Sequence, residues 1–249
     1  MEFLLGFIIA AAIGLTGVGA GVITTPVLIL FLRVPPAQAV GTALIFATVV
    51  KLLAAPVYMG KRQVHWRTLA LLVAGGLPGV LAGSLLLTHF SLGREQGLLY
   101  SVLGLTIVTM ASLNLYKMIR RSERAEIRDR SRWLPLIALP IGAEVGFSSA
   151  GAGALGSISL LGLTALTAGQ VVGTDMFFGL AMSAVGGSIQ LHAGNYAPDL
   201  LWKLMLAGTP GAILGANMAA RLPSRPLRYA LSVWITGLGA QLCYRGLAS

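Results

Sequence analysis

Charged side chains are scarce in this chain of 249 residues: Asp, Glu, Lys and Arg make up only 10% of it, and hydrophobic residues make up 56%. An average soluble domain carries roughly 25% charged residues, so the composition argues against a soluble protein. The single cysteine excludes an intramolecular disulfide, and the three histidines show no metal-ligand spacing. We therefore expect neither a metal nor a cofactor. The mean hydropathy of +0.82 instead indicates a membrane protein.

Long apolar runs dominate the sequence. About 20 apolar residues are needed to cross a bilayer as a helix. Candidate segments of about this length or more are 3–32, 37–58, 68–88, 97–116, 134–163, 168–191, 200–220 and 226–244. The connections are too short for a soluble domain, so the function must reside in the membrane bundle. We predict an all-α polytopic membrane protein with about eight transmembrane segments.

The net charge of +10 is concentrated in two connections. The central linker, "KMIRRSERAEIRDRSR" at 117–132, carries seven basic residues, and Lys61, Arg62 and Arg67 follow the second segment. Basic loops stay on the cytoplasmic side of a membrane. We therefore predict that both connections are cytoplasmic, and we read the basic excess as a record of topology rather than of a nucleic-acid partner.

The sequence contains an internal repeat with an offset of 132 residues. Three pairs of stretches match in this register: "GLTGVGAGVITTP" from Gly14 with "GFSSAGAGALGSI" from Gly146, "QAVGT" from Gln38 with "QVVGT" from Gln170, and "PGVLAG" from Pro78 with "PGAILG" from Pro210. Many transporters are built from two such halves. We predict two homologous four-segment repeats, 1–116 and 134–249, joined by a basic linker at 117–133.

The first segment of each repeat is too long for an ordinary span. The runs 3–32 and 134–163 would each measure about 45 Å as a helix, against a hydrocarbon core of about 30 Å. We therefore predict that both are broken or re-entrant. Eight crossing segments would place the N-terminus on the cytoplasmic face with the two basic connections, and we favour this arrangement. Re-entrant first segments would instead invert one half relative to the other and move the N-terminus outside.

A broken membrane helix can create a binding site for a small anion. It directs N–H donors and a positive dipole end into the bundle, and irregular backbone is tolerated only inside protein or beside water. Hydroxyl donors accompany both breaks and both second segments: Thr16, Ser148, Ser149, Thr42 and Thr174. Close helix packing is the alternative role for small residues. The duplication, the excess length and the clustered hydroxyls favour binding.

Three ionisable residues interrupt the apolar runs: Lys51, Glu144 and Asp175. Each costs roughly 2.5 to 3.5 kcal/mol if it lies centrally in the membrane, so each indicates an ion path or a partner. Lys51 either contacts substrate or extends to the interface. Asp175 is the leading candidate for a proton-coupling carboxylate, and Glu144 is the next. A structural pair between Lys51 and Asp175 is the alternative.

Three stretches of the first half have a characteristic order and spacing: "GLTGVGAGVITTPVLILFLRVPPAQAVGTAL" from Gly14, "GKRQVHW" from Gly60 and "GGLPGVLAG" from Gly75. In these stretches the sequence resembles the sulfite exporter TauE/SafE family of membrane permeases. The resemblance implies transport of a small sulfur-containing or organic anion across the bacterial inner membrane. It also implies core site residues in both halves: Gly17, Gly19, Gly21, Gln38, Gly41 and Thr42, and Ser149, Gly151, Gly153, Gln170, Gly173 and Thr174.

The resulting expectation is a secondary carrier rather than an enzyme. No P-loop is present, so coupling to a proton or another ion gradient is expected. The expected partners are a small anionic substrate and the lipid bilayer, without nucleic acid, and homo-oligomerisation stays open. A membrane-embedded enzyme and an assembly factor without transport activity are the alternatives. The identity of the anion, the direction of transport and the coupling ion also stay open.

Overall fold

The computed structural model describes residues 2–16, 20–60, 62–92, 96–119, 130–151, 153, 155–218, 233–234 and 236–244. These residues form helices and their connections without a strand, which confirms the predicted all-α class. The α-helices are α1 (Glu2–Thr16), α2 (Ala20–Phe31), α3 (Pro36–Gly60), α4 (Trp66–Leu92), α5 (Gln96–Ile119), α6 (Leu134–Ser148), α7 (Leu155–Leu163), α8 (Ala168–His192) and α9 (Pro198–Met218). Residues 236–244 are also helical.

The second of the two long apolar runs is divided between two short helices, α6 and α7. In the first run the described residues form α1 and α2, and residues 17–19 between them lie outside the described residues. In the second run Ser149 ends α6 with a left-handed φ of 65°, and Gly153 follows with a φ of 101°. L-residues rarely adopt such a backbone, and it turns the chain sharply away from the axis of α6.

Helix bounds recur along the chain at the offset of the sequence motifs. α1 and α6 begin at Glu2 and Leu134, 132 positions apart, and α3 and α8 begin at Pro36 and Ala168, also 132 positions apart. The core repeats in the same register. Phe46 and Phe178 are the largest fully buried side chains, and a Cβ on Gly208 or Gly76 would lie 2.5 or 2.6 Å from the respective ring.

The first helix of each half packs against a helix of the other half. α6 packs along α4 and α1 packs along α9, both in parallel, through glycines that face main-chain carbonyls. A Cβ on Gly79 of α4 would overlap the Leu139 oxygen, and a Cβ on Gly211 of α9 would lie 2.5 Å from the Phe7 oxygen. Small residues permit this close approach of helices in membranes.

α3 and α8 lie together at the centre of the bundle and run antiparallel. Gly41, near the start of α3, contacts Asn195 beyond the end of α8, and Gly173, near the start of α8, contacts Gln63 beyond the end of α3. Between these ends, Gly187 of α8 lies against Ile45 of α3. The two helices therefore span the same layer in opposite directions.

Three helical segments among the described residues are long and apolar enough to cross a membrane. They are Pro36–Gly60, Trp66–Ser91 and Ala168–His192, with mean hydropathies of 2.0, 2.0 and 1.2. Shorter apolar stretches are Glu2–Gly14, Gly21–Phe31 and Leu99–Thr109. Large apolar side chains such as Leu85, Leu105 and Leu136 are more than half exposed on the outside of the bundle, as expected for a surface in contact with lipid.

The boundaries of the predicted linker differ slightly from the helix ends. α5 continues to Ile119, three residues past the predicted end of the first repeat at 116, and a 3₁₀ turn at Ser131–Trp133 leads directly into α6. Residues 120–129, which carry most of the basic charge of the linker, lie outside the described residues.

Candidate functional site

The break between α6 and α7 meets a helix of the other half. Ser149 Oγ lies 2.6 Å from Thr25 Oγ1 of α2, and either hydroxyl can be the donor. Both residues are buried. Gly21, one turn before Thr25, makes this approach possible because a Cβ there would overlap the carbonyl group of Ser149. The break therefore presents two hydroxyl groups from different halves at one buried point.

The last turn of α6 carries a carboxylate beside the break. Ser148 Oγ donates to Glu144 Oε1 at 2.7 Å and accepts from the Ala150 N–H at 3.1 Å. Gly151 folds back against this carboxylate, since a Cβ on Gly151 would lie 2.9 Å from Glu144 Cγ. Glu144, Ser148, Ser149 and Gly151 thus form one continuous group of predicted site residues.

Asp175 lies in a second polar group on α8. It is 3% exposed, and its Oδ2 accepts a hydrogen bond of 2.7 Å from Ser157 Oγ of α7. Gly156 gives the carboxylate its space, because a Cβ there would overlap Asp175 Oδ1. Lys51 of α3 is 9% exposed, so its ammonium group stays inside the bundle, where it interacts electrostatically with Asp175.

The threonines of the duplicated "GT" motif lie apart from the break. Thr42 Oγ1 accepts a hydrogen bond of 3.0 Å from the Ala197 N–H, and Thr174 Oγ1 accepts one of 3.0 Å from the His65 N–H. Because α3 and α8 are antiparallel, these two hydrogen bonds lie towards opposite ends of the bundle. The structure therefore does not bring Thr42 and Thr174 together with Ser149.

The remaining predicted residues are divided between helix ends and undescribed positions. Gln170 forms a capping box with Thr167 at the start of α8, and Gln38 is half-buried in the first turn of α3. Gly153 lies within the α6–α7 break. Gly17, Gly19 and the side chain of Thr16 lie outside the described part of the chain.

Thr25, Ser157 and Gln190 are not among the site residues predicted from the sequence. Thr25 and Ser157 are 132 positions apart, so a search for hydroxyl residues that recur at the offset of the repeat would have identified them. Gln190 is fully buried in α8, where its Nε2 donates to Ser84 O at 3.0 Å and its Oε1 accepts from Asn195 Nδ2 at 2.9 Å. The sequence signal that could have identified Gln190 is an uncharged amide side chain within an apolar run.

The grouping of these residues suits an oxyanion more than a metal or a nucleophilic reaction. Hydroxyl groups donate hydrogen bonds to oxygen atoms of an anion, and Thr25 and Ser149 offer two of them at one buried point. Lys51 supplies a positive charge within the same bundle and Asp175 a negative one. Together the two buried charges are neutral when no anion is bound.

Comparison with known proteins gives one family and several relatives. The family model described as "Sulfite exporter TauE/SafE" matches residues 2–242. A "Probable membrane transporter protein YjnA" of Bacillus subtilis is 27% identical over 248 residues, which cover 96% of this chain and 97% of that protein. A "Probable membrane transporter protein" of Xylella fastidiosa is 33% identical over 101 residues, covering 41% of this chain and 38% of the relative. No solved structure matches the chain.

Proposed function

This chain belongs to the sulfite exporter TauE/SafE family, and on that premise we propose that it is a secondary transporter for sulfite or a related sulfur-containing or organic anion. The relative from Bacillus subtilis, which is named as a probable membrane transporter, aligns over nearly the full length of both chains. Transport by a membrane protein is therefore the general function. The anion, the coupling ion and the cytoplasmic membrane as its location are our proposals.

The observation that carries the proposal is the buried contact between Thr25 and Ser149 at the helix break. Transporters bind substrates at discontinuous helices between their two halves. Here α2 comes from one half and the break from the other, so a change in the relative position of the halves alters the site directly. Sulfite would replace the hydroxyl–hydroxyl contact and accept a hydrogen bond from each side chain, with Lys51 supplying the opposite charge.

We further propose that the two halves are inverted repeats. Helices at equivalent positions, α3 and α8, run antiparallel, which is expected when a pseudo-two-fold axis lies in the membrane plane. The residue before each following helix, His65 or Ala197, donates to the equivalent threonine of the opposite half. Short first helices that enter the membrane and return are consistent with this arrangement, because three full crossings then remain in each half.

This arrangement places the N-terminus on the outer face and revises the topology that the sequence favoured. Glu2 pairs with Lys203 near the start of α9, at the end of the bundle where α3 begins. The basic turn with Arg62 follows the opposite end of α3. Arg130, near the end of the linker, donates its N–H to Leu163 O just before α8 begins, at the same end as that turn. We therefore propose that the turn and the linker share the cytoplasmic face.

Asp175 is proposed as the residue that couples transport to protons. It is buried beside Ser157 and interacts electrostatically with Lys51. The equivalent position in the first half is Ala43, so the repeated scaffold does not need an acid there. When an anion binds Lys51, a proton on Asp175 would keep the net charge of the group unchanged. Glu144, whose carboxylate is hydrogen-bonded by Ser148, is the second candidate.

Counterflow of radiolabelled sulfite in proteoliposomes tests the transport function. The parent protein should exchange labelled sulfite for an unlabelled internal excess, and Thr25→Val and Ser149→Ala should lower this exchange at least tenfold. Thr109→Val is a matched control, since the exposed Thr109 hydroxyl donates to Leu105 O within its own helix. Absence of counterflow with sulfite, thiosulfate and small organic sulfonates would contradict the proposal and favour an enzyme or an assembly factor.

A further inference from the structure

We propose that the duplicated "GT" motif forms two clasps that close the two ends of the transport path and open alternately. The outer clasp consists of Gly41, Thr42, Asn195 and Ala197. The inner clasp consists of Gly173, Thr174, Gln63 and His65. The inference rests on the proposed transport function, but it concerns hydrogen bonds other than the Thr25–Ser149 contact.

In the outer clasp, α3 holds the turn that leads into α9. The Thr42 hydroxyl accepts a hydrogen bond from the Ala197 N–H at 3.0 Å. Gly41 lets the carbonyl group of Asn195 touch the α3 backbone, because a Cβ at this position would overlap the Asn195 oxygen. Thr42 is fully buried, so water does not compete for this hydrogen bond in the closed state.

The inner clasp repeats this geometry at the other end of the bundle. The Thr174 hydroxyl accepts from the His65 N–H, also at 3.0 Å, and a Cβ on Gly173 would overlap the Gln63 oxygen. Each member of one clasp is 132 positions from its equivalent in the other. The duplicated sequence thus encodes a duplicated contact between a helix of one half and a turn of the other.

The position of the clasps explains why they would open in alternation. The outer clasp joins α3 to the turn before α9, and the inner clasp joins α8 to the turn before α4. Because α9 packs along α1 and α4 packs along α6, a tilt of one half against the other separates one central helix from its turn and presses the other helix closer to its turn. A single hydrogen bond with a close backbone contact is a reversible closure. Both clasps are closed in the structure, which therefore corresponds to the occluded state of the cycle.

Accessibility of the central site from each side tests this inference without a transport assay. Ser149→Cys in a Cys243→Ser background is the reporter, labelled by a membrane-impermeant maleimide in right-side-out and inside-out vesicles. Thr42→Val should raise the labelling rate about 2- to 13-fold, the range that loss of one typical hydrogen bond allows, from the outside only. Thr174→Val should do the same from the cytoplasmic side only, and the Thr→Ser variants should label like the parent.

A reversible lock provides a second measurement that does not depend on the folding of the valine variants. Oxidation of Thr42→Cys/Ala197→Cys should stop counterflow of a labelled organic sulfonate, which does not cleave disulfides as sulfite does, and reduction should restore it. The single variants Thr42→Cys and Ala197→Cys, which cannot form this disulfide, should show the same counterflow before and after oxidation. Equal labelling from both sides in each valine variant, or counterflow that survives the locked outer clasp, would overturn the inference. One-sided labelling without any counterflow would support the clasps and contradict the proposed substrate.

Discussion

Replacement of Gly79 or Gly211 by alanine tests the exchange of first helices between the halves. Gly79 of α4 faces α6, and Gly211 of α9 faces α1. A Cβ on Gly211 would lie 2.5 Å from the Phe7 oxygen, whereas ordinary contacts begin at 3.4 Å. A Cβ on Gly79 would overlap the Leu139 oxygen and lie 2.8 Å from the Ala143 nitrogen. Because the obstructing atoms are main-chain atoms, neither site can adjust by a change of rotamer.

The expected loss is best measured against a glycine whose surroundings are open. Gly162 lies in α7, and no described atom lies within 4 Å of a Cβ built there. Gly→Ala in a helix gains about 1 kcal/mol from helix propensity at every site, and this gain cancels in the comparison. Overpacking costs about 1 to 3 kcal/mol, so Gly79→Ala and Gly211→Ala should each be less stable than Gly162→Ala by about this amount.

Thermal unfolding in detergent measures the difference. For a chain of this length, 1 kcal/mol corresponds to about 2 to 4 °C in Tm, so the two variants should melt about 2 to 12 °C below Gly162→Ala. Because Gly79 and Gly211 occupy equivalent positions of the two repeats, the two variants should also lose similar amounts of stability. Melting within 1 °C of the control, or a loss at only one of the two positions, would refute the reasoning about the exchanged helices.

Three further predictions follow from the charged residues. Asp175→Asn should still exchange labelled sulfite between loaded compartments but fail to accumulate it when a pH difference is imposed; accumulation at the parent level would make Asp175 dispensable for coupling. In a cysteine-free background, a cysteine in place of Arg62 or Arg130 should be labelled by an impermeant reagent only from the cytoplasmic side, and a cysteine in place of Glu2 only from outside. Labelling of either of the first two cysteines from outside intact cells would contradict this topology. Glu2→Gln should leave the free energy of unfolding nearly unchanged, because both partners of the Glu2–Lys203 pair are more than one-third exposed; a clear loss of stability in detergent unfolding would mean that this contact stabilises the fold more than exposed pairs do.

The sequence predicted the all-α class because composition and apolar runs depend only on residue type. The offset of 132 also followed from sequence alone, since the glycine motifs recur without a gap, and the helix starts at Pro36 and Ala168 fall in the same register. The excess length of the fifth run predicted its division between α6 and α7, and the predicted break of the first run falls at residues outside the described part of the chain. Between α6 and α7 the backbone breaks as predicted, because Ser149 and Gly153 adopt positive φ angles.

The partners of individual side chains could not be predicted in the same way. Thr25 and Ser149 are far apart in sequence, and their contact depends on how α2 of one half crosses the break of the other. Thr42 and Thr174 are predicted substrate donors, and each also accepts a main-chain N–H from the opposite half, a contact that the sequence did not indicate. A hydroxyl within an apolar run indicates that it needs a partner, but its sequence does not reveal whether that partner is a ligand or a turn.

The exchange of first helices between the halves has a consequence for synthesis in the cell. α1 leaves the ribosome at the start of translation, but the glycine face of α9 that receives it, with Gly211 and Gly215, is made almost at the end. The helix must therefore wait in the membrane or the translocation apparatus while most of the chain is inserted. Neither half can complete its own packing, because α4 depends in turn on α6. The chain resembles a domain-swapped dimer whose two subunits are joined by a linker. We expect its folding to be complete only when the second half has been synthesised.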